Sequence, residues 1–286
     1  MRAHVLTILA LLLIARVATA QGTAPVAKDP PPALAPAMSP KNQKFLDAYL
    51  KAWEDRMSKI DALQTKIIFT ETGEETNPAT GKKIQTNTVF TGEASLLKPN
   101  LAKMFLKLDA KPADNRRWKH FIADGKFMWD YQYSQKVVRV MPLPAEGLSD
   151  NTILAFLFGM KADEIKKRYD LSIDVDDPKK ITENYLFIDI LPKTKEDKQE
   201  FARAQLALWI NNKDPKYADY WMLPARLWFQ QTNTDGQTWE FRNMTSQKKL
   251  PKSDFEAPGF PDKAWKSEWM QSPTAKPVSR PIAPSK

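Results

Sequence analysis

From residue 64 to residue 244, apolar residues fall at every second position in short runs, and turn-forming residues separate the runs. Side chains on a strand alternate between two faces, so such a chain must build sheet with one apolar and one polar face. Residues 101–109 are the cleanest case: Ala102, Met104, Leu106 and Leu108 face one way, and Lys103, Phe105 and Lys107 the other. Strands are also predicted at 64–72, 84–97, 117–123, 126–131, 137–141, 171–175, 184–191, 204–210, 226–232 and 238–244. Asn77-Pro78-Ala79-Thr80-Gly81, Asp124-Gly125 and Asn233-Thr234-Asp235-Gly236 read as the turns between them. Links this short mean antiparallel pairing rather than β-α-β crossovers. The expected fold class is mainly β with short α: one large antiparallel sheet.

Helical spacing precedes this period once and interrupts it twice. Ser39 is suited to an N-cap and Pro40 to a first helical position. Phe45, Leu46, Tyr49, Leu50, Trp53, Met57 and Ile60 then recur as a helical stripe. Residues 149–159 form a short apolar segment containing Ile153, Leu154, Phe156, Leu157 and Phe158, and a further helix is expected over 162–168.

The ends read differently from the body. Residues 1–20 look like a secretory signal peptide: Arg2, a ten-residue apolar run over 5–14, and Ala18-Thr19-Ala20 before Gln21. That run is short for a spanning helix, which needs about 20 apolar residues. Residues 21–40 form a Pro-rich leader expected to be disordered, and 266–286 a Pro/Lys-rich tail. The body, 41–265, contains no Pro/Gly-rich linker and no internal repeat, so one domain is expected. An exported product without a lipid anchor implies the periplasm, and a monomer is expected.

Zero cysteines exclude disulfides, thiol catalysis and S-linked lipid anchors. The only histidines are His4 and His120, which removes His-rich metal sites; no metal or cofactor is expected. No glycine-rich phosphate loop and no G-x-S-x-G elbow occurs, and the reading is non-enzymatic. Asp174, Asp176 and Asp177 resemble half a calcium loop but read better as a solvated turn before Pro178. Glu71, Glu74 and Glu75 read as an exposed hairpin end, and His120 as a surface or packing residue. A hydrolase would need two carboxylates converging in a pocket.

Forty-three Lys and Arg against 34 Asp and Glu give a formal charge of +9, which loss of Arg2 and Arg16 lowers by two. Lys98, Lys103, Lys107, Lys111, Arg116, Arg117 and Lys119 cluster along two neighbouring strands. Export argues against nucleic acid; an anionic membrane surface or envelope polymer fits, as does a solvated outer face. Nine tryptophans, some alternating as in Phe127-Trp129-Tyr131 and Trp239-Phe241, are explained first by core packing. A single curved sheet with few helices also leaves room for an apolar groove of the kind a lipid carrier needs.

The order of landmarks resembles the outer-membrane lipoprotein carrier family, the LolA-like proteins. The leading helix enters Leu63-Gln64-Thr65-Lys66-Ile67, and residues 92–100 (GEASLLKPN) look like the family's G-x(4–5)-R-P segment. Residues 121–131 (FIADGKFMWDY) are similar to its D-G-k-x-x-W-x-Y hairpin, and 151–158 take the place of its lid helix. Residues 185–193 (YLFIDILPK), Asp235-Gly236-Gln237-Thr238 with Phe241, and Phe255-Glu256-Ala257-Pro258-Gly259 resemble its later strands and closing F-x-x-P-x-G. Two departures stand out: Lys98 replaces the arginine before proline, and Thr152-Ile153 lacks the lid-helix proline.

The resemblance implies an unclosed half-barrel with short lid helices over its concave face. It also implies a soluble carrier that shields lipoprotein acyl chains, with inner- and outer-membrane sorting proteins as partners. Lys98 and Pro99 would then control the lid. On that reading the expected lining residues are Met57, Leu106, Leu108, Leu154, Leu157, Phe158, Leu206, Leu208, Phe229 and Trp239. The competing expectation is a sensor or scaffold that binds an envelope protein on the same fold.

Overall fold

The computed structural model describes residues 38–143, 161–195, 197–231, 235–247, 249–260 and 262–270. The chain opens with helix α1, Pro40–Ser58. Ser39 Oγ accepts from the Asn42 amide at 3.2 Å, and Pro40 gives up no hydrogen bond at a position whose N–H would be unmatched anyway. Leu46, Leu50, Trp53 and Met57 are the buried face of α1. Phe45, by contrast, is 41% exposed and packs along the helix against Tyr49.

Among the described residues twelve strands follow: β1 Ala62–Thr76, β2 Lys83–Leu97, β3 Leu101–Leu108, β4 Lys119–Asp124, β5 Phe127–Gln132 and β6 Val137–Pro142, then β7 Tyr169–Ser172, β8 Tyr185–Pro192, β9 Arg203–Trp209, β10 Pro224–Gln230, β11 Gly236–Gln247 and β12 Lys266–Trp269. Helix α2, Ala162–Arg168, precedes β7, and a single turn, α3 Asp197–Glu200, precedes β9. All of them join one sheet in the order β12-β6-β5-β4-β3-β2-β1-β11-β10-β9-β8-β7, with β12 and β7 as its edges among the described residues. This is the unclosed half-barrel, with α1 on its concave, inner face.

The turns form where the residue types require them. Gly125 sits at φ +95°. Asp124 Oδ1 there accepts from the amides of Lys126 at 2.9 Å and Phe127 at 2.8 Å, while Oδ2 accepts from Trp129 Nε1 at 2.7 Å. In the β1–β2 hairpin, Gly81 at φ +67° donates to the Asn77 carbonyl at 2.8 Å. A bulge interrupts the β1–β11 ladder between Gln64 and Lys66, with Asn243 at φ +51° opposite it.

Three features differ from the sequence expectation. The sheet continues past Trp265: β12 pairs with β6, and the pairing is parallel. Strand β4 begins at Lys119, because Asn115–Arg117 form a 3-10 turn capped by Asp114. Most consequential, the outer face of β4–β6 carries its own core of Ile122, Trp129, Tyr131, Val138, Val140 and Trp265. The returning C-terminal segment covers it, and Tyr131 Oη donates to the Pro258 carbonyl at 2.7 Å. The apolar segment at 149–159 lies outside the described residues.

Candidate functional site

The larger core lies on the inner face. Met57, Leu106, Leu108, Leu206, Leu208, Phe229 and Trp239 all belong to one continuous apolar cluster there, joined to α1 through Trp53 and Leu50. Leu154, Leu157 and Phe158 lie outside the described residues. The cluster also holds Met104, Met128, Met141, Met222 and Met244, so with Met57 six of the ten methionines meet on this face. Unbranched thioether side chains repack at low cost around irregular apolar shapes. Strand alternation puts Met104 on one face with Leu106 and Leu108, and Met128 follows from the same rule in β5; neither is among the expected lining residues, because methionine also serves as ordinary core.

Lys98 and Pro99 occupy the β2–β3 turn beneath the end of α1. The Lys98 ammonium donates to the Met57 carbonyl at 2.5 Å, and partial burial pushes that amine below its ordinary value, against the pull of Asp61. Lys98 thus engages a helix C-terminus, where a cation is favoured.

A polar band crosses the inner face. Lys119, on β4, reaches over β3 and β2 to Glu71 on β1, with Nζ 2.9 Å from Oε1. On the way its ammonium lies 4.7 Å from the ring centre of Phe90 and 5.1 Å from that of Phe69. Gly92, on β2, lets that strand lie close against β3: a Cβ there would lie 1.9 Å from the Phe105 carbonyl oxygen. Glu71 is therefore part of an inner-face ion pair, while Glu74, paired with Lys83 at 2.8 Å, matches the exposed hairpin end.

Asp130 extends the band on β5, opposite Arg139 of β6. It is 5% exposed and accepts from Gln132 Nε2 at 2.6 Å. Burial pushes its pKa up to about 6, against the pull of Gln132, Arg139 and Lys119. Next to the band, Trp239 stacks on Phe69 with ring centres 4.1 Å apart. Its indole N–H is buried and meets no hydrogen-bond acceptor among the described residues.

The basic residues do not form one patch. Lys98 and Lys119 turn to the inner face, and Arg116 closes on Asp114 at 2.9 Å. Lys103 and Lys107 stay outside, where Lys107 lies over the rings of Phe105 and Trp118. An outer-face groove of about 440 Å³ runs between Lys66, Phe105, Lys107 and Arg242. Beside it, His120 stacks on Tyr131 and meets Tyr133 Oη at 3.2 Å; burial, then Lys103, pushes its pKa down to about 4. Among the described residues no cluster of three or more Asp, Glu or His can hold a metal, and no helix is long and apolar enough to cross a membrane.

Neither a family model nor a curated protein matches the sequence. Solved structures do. A LolA superfamily protein from Nitrosomonas europaea is 10% identical, with TM-score 0.39, over 74% of this chain and 97% of that one. A conserved protein from Thermus thermophilus is 10% identical, with TM-score 0.40, over 80% and 99%. LprF from Mycobacterium bovis is 10% identical, with TM-score 0.38, over 73% and 97%.

Proposed function

We propose that this protein is a non-enzymatic periplasmic carrier that shields lipoprotein acyl chains, or other lipid tails, against the inner face of its half-barrel. The observation that carries the reading is the single methionine-rich apolar cluster on that face, crossed by a polar band. An amphipathic ligand needs both parts. Leaving a long chain in water costs about 0.8 kcal/mol per methylene, so transit across an aqueous compartment needs a shield. The adaptable methionines supply one that re-forms around chains of different shape.

The test is extraction of the protein, purified from its own host, with organic solvent, together with titration of a fluorescent fatty-acid probe. Recovered lipid or acylated protein and saturable probe binding are expected. Loss of binding on Leu206→Asp, with the fold intact by circular dichroism, would assign the chain to the inner face. No extractable lipid and no probe binding would defeat the proposal.

The outer groove favours a second reading, a scaffold that binds an envelope protein. Lys107 lines that groove and makes no ion pair among the described residues. On this reading Lys107→Glu abolishes capture of a partner, whereas Leu206→Asp leaves it unchanged.

A further inference from the structure

A buried N–H without an acceptor is costly, since it has given up its water and received nothing in return. Among the described residues Trp239 Nε1 is such a group, on a residue only 3% exposed. Its setting is specific. The indole is stacked on Phe69, and the same Phe69 ring carries the Lys119 ammonium, held by Glu71. Glu71 also lies directly across the β1–β11 ladder from Gln237, one inner-face step along from Trp239. The lone donor thus stands where the apolar cluster meets the polar band. Lys119 and Glu71 have side chains 19% and 31% exposed, so the band is open to solvent at this point.

Phenylalanine would fill the same apolar space without an unmatched donor, and Phe69, Phe90 and Phe241 do so close by. What an indole adds is one hydrogen-bond donor, which meets no acceptor among the described residues. An acyl ligand carries a strong hydrogen-bond acceptor at the head of its hydrocarbon: the carbonyl oxygen of its ester or amide. Resting on the carrier reading above, we infer that Trp239 Nε1 is the anchor for the acyl carbonyl. The chain then lies along the methionine-rich cluster toward Met57, with the polar remainder at Lys119 and Glu71. The ligand reaches this donor by parting packed side chains rather than by filling an open hole, as a methionine-rich cluster permits. The ligand class is accordingly an O- or N-acyl lipid, distinguished from a plain hydrocarbon or an ether lipid by its carbonyl.

Two ligands that differ only in that oxygen test the inference: 1-palmitoylglycerol and its ether counterpart, 1-O-hexadecylglycerol. Wild type is expected to bind the ester roughly tenfold more tightly, the worth of one hydrogen bond to a buried donor. Trp239→Phe should bind both equally, with its affinity for the ether unchanged. A second measurement needs no variant: the indole N–H resonance of Trp239 should move downfield with the ester and stay in place with the ether. Equal binding of the two ligands by wild type, a preference that persists in Trp239→Phe, or a resonance that ignores the ester overturns the anchor and leaves the carrier reading intact. Binding of neither ligand overturns both.

Discussion

The ammonium of Lys98 donates to the main-chain carbonyl of Met57 at 2.5 Å, fastening the β2–β3 turn to the last turn of α1. The same carbonyl also accepts from the Ile60 amide at 3.2 Å, so it keeps a partner when the lysine is removed. Lys98→Met retains the stem and should cost about 1 kcal/mol, the worth of one charge-assisted bond at a helix C-terminus. Urea denaturation measures the loss, and Lys98→Arg should recover most of it. An unchanged midpoint for Lys98→Met would mean the contact contributes nothing.

Asp130 and His120 should give opposed pH dependences. The folded pKa of Asp130, about 6, exceeds its ordinary 3.8, so its contribution favours the fold below about pH 4 and is lost as pH rises through 6. The loss is at most about 3 kcal/mol. His120, at about 4 against an ordinary 6.5, stabilises the fold above pH 6.5, and that contribution is lost as pH falls toward 4. Thermal melts between pH 4 and 7 should therefore rise more steeply with pH in Asp130→Asn than in wild type. In His120→Phe they should rise less, or fall. Parallel profiles for all three proteins would contradict both assignments.

Gly92→Ala should cost about 3 kcal/mol or more, because the new methyl meets main-chain atoms that cannot rotate away. Gly81 offers a contrast: nothing lies within 4 Å of its added Cβ, and only its positive φ resists substitution. Gly81→Ala should cost about 1 kcal/mol. Chemical denaturation of the two variants checks the order.

Asp124→Ala removes two turn hydrogen bonds and leaves Trp129 Nε1, a donor in the outer core, without its acceptor. A loss of about 2 kcal/mol is expected. Asp124→Asn, which keeps an acceptor for the turn, should lose less. Equal losses in the two would assign the effect to charge rather than to turn geometry.

Alternation in β3 placed Ala102, Met104, Leu106 and Leu108 together, and the same rule paired Leu206 with Leu208, because a strand leaves its side chains no third direction. Turn chemistry was equally legible at Asp124-Gly125. The polar band was not. Lys119 reads as one more cation in a basic run, and Glu71 as one more acid at a hairpin end. They meet only because the sheet curls and Lys119 spans the curve from β4 to β1.

The sequence by itself determined the class of fold, the strand faces and the turns, since these depend on neighbours a few residues apart. Tertiary structure decided which face of β4–β6 carries a second core, because that depends on the C-terminal segment returning over a hundred residues later. It also decided that Trp239 has no acceptor among the described residues. Period and composition describe what a residue brings; only the packed sheet determines what it meets.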